Sequence, residues 1–296
     1  MTRREHLGPA VASLAIVLIL PFSWILAKNV SGFSSPTFAT TTRTLFASLS
    51  FLAIGALQGR GTRLQWPRPR DMAWICMLAL TGFVGYFYLM FYSLAHLSPS
   101  QVGVYTALMP GITYGIGLSM RSEQATWRKT IGLIIASAAA VAFSLWGAGP
   151  LGGRGWPMLA ALGAALSYAF FGVLYKKHLS HIPLPRLLPL ITGISACVLV
   201  ALSPTEWFEF SKALPWQSLG WTVLLGTVFT APVYYLYFYL IRSKGAVYTN
   251  TLGLTTPFLI LMVERLYGYR ASVSPVQLAL LAACAAGLFL VISVKK

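Results

Sequence analysis

The chain has 296 residues, of which 57% are hydrophobic and only 9% are charged, and its mean hydropathy is +0.71. Soluble globular proteins carry about 25% charged residues, so this composition excludes a water-soluble protein and indicates a polytopic membrane protein. The formal net charge of +16 comes from basic residues in short tracts between apolar segments, such as GRGTRLQWPRPR, and nucleic acid is therefore not an expected partner.

Ten apolar segments are long enough to cross a bilayer, which requires about 20 residues in a helix. The first segment follows MTRREH, as a secretory signal would, but it is too long for one and carries the bulky sequence PFSWILAK. We therefore predict an all-α polytopic membrane protein with ten transmembrane helices in the lipid bilayer. In chain order the segments are 9–28, 36–58, 72–95, 99–120, 127–147, 156–176, 184–203, 217–241, 245–266 and 274–294.

The distribution of lysine and arginine between the connections predicts the orientation of the chain in the membrane. Sixteen of the 22 basic residues fall on one side of the ten segments and five on the other, while Arg43 lies within a segment. Cytoplasmic connections carry the excess of basic residues, so we expect both termini in the cytoplasm of a bacterial inner membrane.

Two aromatic runs, GYFYLMFYSL at 85–94 and APVYYLYFYLI at 231–241, indicate an internal repeat. When the chain is shifted by 147 positions the two runs align, and Pro110 then falls on Pro257 without a gap. This offset divides the ten segments into five and five, with the repeats at 1–150 and 151–296. An odd number of helices in each repeat inverts the second one in the membrane, an arrangement typical of secondary transporters with alternating access.

Several stretches resemble the drug/metabolite transporter superfamily, and in particular its EamA-type members. The resemblance rests on PFSWILAK, TTRTLFASLSFL, HLSPSQVGVYTALMP, MRSEQATWRKTIGLIIA and WPMLAALGAALSYAFFGVLYKK, and it extends along nearly the whole chain. It implies ten helices in two inverted halves that move small organic solutes, often outward. Arg270 stands where the second half of the family usually carries a glutamate, so the role of that glutamate is not transferred to this chain.

Aromatic and polar residues within the segments are the candidates for substrate contact. Tyr88 and Tyr92 lie one helical turn apart on one face, as do Tyr235 and Tyr239, and such rings either anchor a helix at the membrane interface or line a cavity. We interpret them as the lining of a central cavity for an aromatic or amphipathic solute. The complete set of candidate contacts is Tyr88, Tyr92, Tyr168, Tyr235, Tyr239, Tyr248, Asn250 and Trp24.

Two charges and two prolines within the segments are candidates for gating. Arg43 and Glu264 should lie at similar depth near the outer surface, where they could form a pair or reach the interface separately. A proline inside a span removes a backbone donor and bends the helix, so Pro110 and Pro257 are either static bends or symmetry-related hinges. We interpret the charges as a gating pair and the prolines as hinges.

The sequence contains no pattern for an enzyme, a cofactor or a metal. It has no Walker motif, no clustered catalytic set, and its three cysteines are too widely separated to form a metal site. The leading prediction is therefore a secondary transporter that exports small organic metabolites such as amino acids. The alternatives are a drug or purine-like exporter and, less favoured, a passive channel or a lipid-handling membrane enzyme.

Overall fold

A computed structural model describes residues 3–57, 67–148, 155–202, 216–266 and 274–293. The described chain is folded into helices α1 to α13, joined mostly by short turns. Their bounds are Arg3–Ser31 (α1), Pro36–Leu57 (α2), Pro69–His96 (α3), Pro99–Thr106 (α4), Met109–Ser119 (α5), Trp127–Ala148 (α6), Gly155–Leu179 (α7), Leu184–Leu202 (α8), Trp216–Thr227 (α9), Ala231–Lys244 (α10), Ala246–Thr251 (α11), Thr256–Leu266 (α12) and Pro275–Ile292 (α13).

Seven helices in the described ranges are long and apolar enough to cross a membrane. They include α1, α3, α6, α7, α8 and α13, and one that continues from α9 through a turn into α10. Two of the other predicted segments, 99–120 and 245–266, are each divided into shorter helices, and the third, α2, begins with the polar sequence PTFATTTRT. The prediction of a polytopic all-α membrane protein is confirmed.

Two helices begin with the same capping arrangement, which the sequence S-P-x-Q encodes. The Ser98 hydroxyl accepts a hydrogen bond from the Gln101 backbone N–H, and the Gln101 side chain accepts one from the Ser98 N–H. Ser274 and Gln277 repeat this capping box at the start of α13. In both helices a proline occupies the first turn, where its missing N–H costs no helical hydrogen bond.

Helix α3 contains a π-helical stretch at Ala79–Gly85, in which the Tyr86 N–H donates to the Thr81 carbonyl five residues earlier. Neighbouring helices place hydroxyl groups at the carbonyls of this stretch: the Ser167 hydroxyl donates to Thr81 O at 2.7 Å, and the Ser195 hydroxyl is shared between Ile191 O of its own helix, at 2.7 Å, and Ala79 O, at 3.2 Å. Gly82 lies against the Phe171 ring so closely that no side chain would fit there. Irregular backbone inside a membrane protein is stable only where protein groups satisfy it in this way.

Helix α7 ends in a second π-helical stretch, at Tyr175–Leu179, and three further irregularities separate helices. A turn at 107–108 precedes α5, a turn at 228–230 separates α9 from α10, and a 3₁₀ turn at Leu252–Thr255 precedes α12. Pro110 and Pro257 are each the second residue of the helix that follows, not residues in the middle of a continuous helix. The bends predicted at these prolines are therefore helix breaks that lie just before them.

The helices pack in pairs that join the two halves of the chain. Helix α13 packs on α6, α8 on α2, α7 on α3, α10 on α1 and α11 on α5. The backbones of α6 and α13 approach closely where they cross, because a Cβ atom on Gly132 would lie 2.7 Å from the Gly287 carbonyl oxygen. Small residues allow membrane helices to approach this closely.

Candidate functional site

Eight aromatic side chains from three helices form a cluster in the middle of the bundle, here called the aromatic cluster. Phe83 and Phe87 of α3 pack edge to face, with ring centroids 5.7 Å apart, and Tyr234 of α10 lies 4.7 Å from Phe83. The other members connect through centroid distances of 4.3 to 6.5 Å, which are typical of favourable aromatic pairs. The cluster consists of Phe83, Tyr86, Phe87, Tyr168, Phe171, Tyr234, Tyr237 and Phe238.

Arg43 extends from α2 to the aromatic cluster and is 4% exposed. Its Nε donates to the Thr230 hydroxyl at 2.7 Å, and its Nη2 donates to the Ser23 hydroxyl at 3.2 Å. The guanidinium carbon lies 4.1 Å from the centroid of the Phe87 ring, in the geometry of a cation–π contact. Arg43 therefore connects α1, α2 and α3 to the break between α9 and α10.

The partners of Arg43 in the described ranges are neutral. The carboxylates that contact a basic side chain there are Glu123, 2.9 Å from Lys129, and Asp71, 3.7 Å from His181, and neither contacts Arg43. The side chain of Glu264 lies outside the described residues, as does Arg270, so the Arg43–Glu264 pair stays a prediction. The fourth atom of the guanidinium group, Nη1, is buried and has no hydrogen-bond partner among the described residues.

A second polar group lies beside the aromatic cluster and centres on Asn250 of α11, which is buried. The Tyr237 hydroxyl donates to Asn250 Oδ1 at 2.7 Å, and Asn250 Nδ2 donates to the Thr113 hydroxyl at 2.7 Å. The Thr113 hydroxyl in turn donates to the Met109 carbonyl at 2.7 Å, close to the helix break at 107–108. This chain fixes the orientation of Tyr237 and ties α10 and α11 to α5.

The structure brings some of the predicted contact residues to these groups. Tyr168 lies in the aromatic cluster, with its ring 5.1 Å from Tyr237, and Asn250 hydrogen-bonds to the same Tyr237. The Tyr248 hydroxyl lies 3.0 Å from the Ser13 hydroxyl of α1. Trp24 is 7% exposed and belongs to the packed core of the bundle.

The other predicted tyrosines lie on different faces of α3 and α10. Tyr88 is 39% exposed and Tyr239 is 36% exposed. Tyr92 packs its ring on His96, with centroids 4.8 Å apart, and Tyr235 is partly buried against the core. Within the described ranges none of these four rings forms an aromatic ring pair with the aromatic cluster, and their role as substrate contacts stays a prediction.

Lysines near the C-terminal ends of α1 and α7, one in each half of the chain, donate hydrogen bonds to backbone carbonyls of other helices. Lys28 at the end of α1 donates to the carbonyls of Leu94 and Leu97, where α3 ends. Lys176 in the last turn of α7 donates to the Arg242 carbonyl at 2.8 Å, near the end of α10. A cation at these positions offsets the partial negative charge of a helix C-terminus.

The described residues contain no group of three or more histidine, cysteine, aspartate or glutamate side chains that could hold a metal ion. The chemistry of the site is thus that of a buried cation, aromatic rings and hydroxyl groups. These groups can bind and orient a solute through stacking and hydrogen bonds.

The comparison with protein families decides the identity of the chain. A model described as the EamA-like transporter family matches residues 8–145 and, a second time, residues 155–293. The chain belongs to this family. It is therefore a multi-pass membrane transporter of small molecules, and the resemblance to EamA-type proteins seen in the sequence is confirmed.

Solved structures share the fold of this EamA-like chain. One crystal structure of a protein superposes with a TM-score of 0.73 and covers 96% of this chain and 96% of its own length. Its sequence identity is 16%, so the similarity concerns the fold alone. No curated protein matches the chain in sequence.

Sequence reasoning missed several members of the aromatic cluster in this EamA-like transporter. In the run at 85–94 it selected the stripe of Tyr88 and Tyr92, whereas the cluster uses Phe83 and Phe87, which are also spaced four residues apart. Both stripes of the run are aromatic, so the run itself carries no signal that distinguishes them. In α10 the sequence prediction selected Tyr235, whereas the cluster contains Tyr234, Tyr237 and Phe238.

Proposed function

We propose that this EamA-like protein is a secondary transporter that exports small organic metabolites, such as amino acids, by alternating access. In this proposal ten transmembrane helices form two inverted repeats, at 1–150 and 151–296. The solute binds between the repeats at the aromatic cluster, and the helix breaks allow the two sides of the site to open in turn.

One observation carries the proposal: the helix irregularities recur at the offset of the aromatic runs. A shift of 147 residues places the π-helical stretch Ala79–Gly85 over 226–232, which includes the turn at 228–230. The same shift places the turn at 107–108 over 254–255, which lies within the 3₁₀ turn Leu252–Thr255. Packed helices have no need of matched breaks, whereas inverted-repeat transporters use discontinuous helices around a central site.

The helix pairing supports the same arrangement. Under the proposed repeat α1 corresponds to α7 and α3 to the α9–α10 pair, so the α3–α7 contact and the α1–α10 contact are equivalent. The α2–α8 and α6–α13 contacts each join an element to its own counterpart. This is the contact pattern expected of two halves related by a pseudo-twofold axis.

The aromatic cluster lies where an alternating-access site is expected. Phe83 and Phe87 come from the first repeat, and Tyr168, Phe171 and Tyr234 come from the second. Movement of one repeat against the other would separate these rings and expose them to one side of the membrane. Pro110 and Pro257 are proposed hinges, because each lies directly after a break at which the helix can bend without losing regular hydrogen bonds.

The proposed location is a bacterial inner membrane with both termini in the cytoplasm. The sixteen-to-five distribution of basic residues between the two sides supports this orientation. The rule holds for basic residues in short connections, and the connections of this chain are short. Export is then movement of the solute from the cytoplasmic side, where α10 ends with Arg242 and Lys244, to the opposite side.

Counterflow into proteoliposomes tests the proposal. Vesicles that contain the purified protein are loaded with one unlabelled metabolite, and accumulation of the labelled metabolite is measured for panels of amino acids, purines and cationic drugs. We expect saturable counterflow for amino acids, and faster flux in the outward direction when the protein orientation is controlled. Current or flux that does not saturate indicates a channel, and the absence of counterflow for every solute contradicts secondary transport.

A matched pair of variants tests the location of the site. Phe87 is 1% exposed and lies in the aromatic cluster, whereas Phe170 is 42% exposed on α7. Phe87→Ala should raise the half-saturating concentration in counterflow at least tenfold, and Phe170→Ala should leave it within about twofold of the unmodified protein. Equal effects of the two substitutions would place the binding site elsewhere.

A further inference from the structure

Arg43 carries an unused hydrogen-bonding capacity in the interior of the bundle. Of the three nitrogen atoms of its side chain, Nε and Nη2 donate to Thr230 and Ser23, while Nη1 has no partner among the described residues. The side chain is only 4% exposed, so water around the bundle does not solvate Nη1. A guanidinium normally fulfils its donors in pairs, and the forked pair matches a carboxylate.

The buried charge is also uncompensated in the described ranges. Both protein acceptors of Arg43 are neutral hydroxyls, and the Phe87 ring at 4.1 Å offers only its quadrupole. A cation removed from water is costly unless an anion or several strong acceptors replace the water. Since the two hydroxyls hold the guanidinium in place and leave Nη1 unmet, an anionic ligand would complete its coordination.

The surroundings of Arg43 define the rest of that ligand. Phe87 lies under the guanidinium, the rings of Tyr86 and Tyr234 lie 5.1 and 5.7 Å from the Phe87 ring, and Tyr168 packs on Tyr86 at 4.3 Å. The described residues bring no carboxylate to this group, so it offers nothing to pair with an ammonium group. A cationic drug would meet like charge there, and a neutral purine would leave Nη1 without an anion.

We propose that the transported solute carries a carboxylate, that Arg43 binds this carboxylate, and that the rings of the aromatic cluster receive its apolar part. This inference rests on the proposed function and names the class of substrate for the same site. It assigns Arg43 to substrate binding and makes selectivity for an organic anion its consequence. Amino acids and simple aromatic acids share this chemistry, and the experiment distinguishes the two sources.

Binding of a series of phenylalkyl compounds that differ in their end group to the purified full-length protein tests the inference without requiring transport. The probes are 3-phenylpropionate, 3-phenylpropan-1-ol and phenethylamine, each titrated while the thermal midpoint of the protein in detergent is recorded. We expect 3-phenylpropionate to bind at least tenfold more tightly than the alcohol, because a site with buried donors rejects an analogue that lacks the anion. Phenethylamine should bind more weakly than the alcohol.

Variants assign this preference to Arg43. Arg43→Gln should reduce the ratio of the two dissociation constants, alcohol over acid, from at least about 10 to about 1, and Arg43→Lys, which keeps the charge without the fork, should give an intermediate ratio. Arg128→Gln is the control: Arg128 is exposed beside Trp127 and should keep the full ratio. If Arg43→Gln does not fold, the ratio in the unmodified protein and in Arg43→Lys decides.

The outcomes separate this inference from the proposed function. A ratio near 1 in the unmodified protein, or a ratio unchanged in Arg43→Gln, overturns the inference even when counterflow of other solutes is saturable. The absence of counterflow for every solute contradicts the transport proposal instead. Binding of phenylalanine as tight as that of 3-phenylpropionate identifies amino acids as the source of the carboxylate, and tenfold weaker binding identifies simple aromatic acids.

Discussion

Gly287→Ala should weaken the packing of α13 against α6, because the two helices cross in backbone contact. A Cβ atom at position 287 would lie 2.7 Å from both the Gly132 carbonyl oxygen and the Ala136 backbone nitrogen, and 2.9 Å from the Ala136 Cβ. Two of these three atoms belong to the backbone of α6, so no side-chain rotation can make room. The helices must move apart along a contact that joins the two halves of the chain.

The size of the effect follows from two opposing terms. Overpacking of a tight contact costs about 1–3 kcal/mol, while replacement of glycine by alanine inside a helix gains about 1 kcal/mol. Gly115 of α5 offers the same chemical change without the first term, since nothing lies within 4 Å of a Cβ atom built there. The free energies of unfolding of the two variants should therefore differ by about 1–3 kcal/mol, with Gly115→Ala the more stable.

Thermal unfolding in a mild detergent measures this difference. The unmodified protein, Gly287→Ala and Gly115→Ala are compared at equal detergent and protein concentration, with size-exclusion profiles as the check on the folded state. We expect the midpoint of Gly287→Ala below that of Gly115→Ala. If the two alanine variants gain stability equally, the helices do not approach as closely at Gly132 and Gly287 as described, and the reasoning fails.

Three further substitutions test other contacts. Thr230→Val should lower the free energy of unfolding by about 1–3 kcal/mol, because Arg43 Nε and the Leu225 carbonyl both lose their hydroxyl partner, whereas Thr230→Ser should retain most of it in the same thermal assay. Tyr237→Phe should lower the free energy of unfolding by about 1–3 kcal/mol, because Asn250 Oδ1 is left unsatisfied. Its control, Tyr88→Phe at an exposed ring, should lower it by about 0.5 kcal/mol at most. The double substitution Pro110→Ala with Pro257→Ala should slow counterflow at least threefold while binding of 3-phenylpropionate stays within about twofold, and unchanged flux would exclude a hinge role.

The helices themselves were predictable because their signal is local. Segments such as 127–147 and 184–203 are apolar over the length that a bilayer requires, and the structure has helices at Trp127–Ala148 and Leu184–Leu202. The breaks near the two prolines were also indicated by the sequence, since a proline inside a span removes a backbone hydrogen-bond donor and bends the helix. The form of these breaks could not be predicted, because the same residues are compatible with a turn and with a continuous bend.

The π-helical stretch in α3 could not be predicted from its own residues. Its carbonyls accept hydrogen bonds from Ser167 and Ser195, and the adjoining space is filled by Phe171, all from other helices. Serine in a membrane segment often bonds the carbonyl one turn earlier in its own helix, and Ser195 and Ser93 each reach such a carbonyl at 2.7 Å as well as a carbonyl of another helix. The sequence cannot distinguish these two uses, since the choice depends on which helix lies opposite.

The inward face of the aromatic runs was undetermined for a related reason. In a soluble helix polar residues mark the outer face, but in GYFYLMFYSL both faces are aromatic or apolar, and the outer face meets lipid instead of water. Burial separates the faces clearly, at 1% exposure for Phe87 and 39% for Tyr88. Only the packing of α7 and α10 on α3 decides which stripe becomes the cluster.

The position of Arg43 connects the buried charge to the helix break. Thr230 ends the turn at 228–230, where its hydroxyl donates to the Leu225 carbonyl at 2.6 Å and accepts from Arg43 Nε at 2.7 Å. A continuous helix would satisfy that carbonyl itself and withdraw the hydroxyl, so the break and the placement of the guanidinium depend on each other. An anion that binds Nη1 therefore acts on the same residue that holds α9 and α10 apart. The proposed binding of a carboxylate to Arg43 would therefore couple solute binding to bending of the helix at this break through one hydroxyl group.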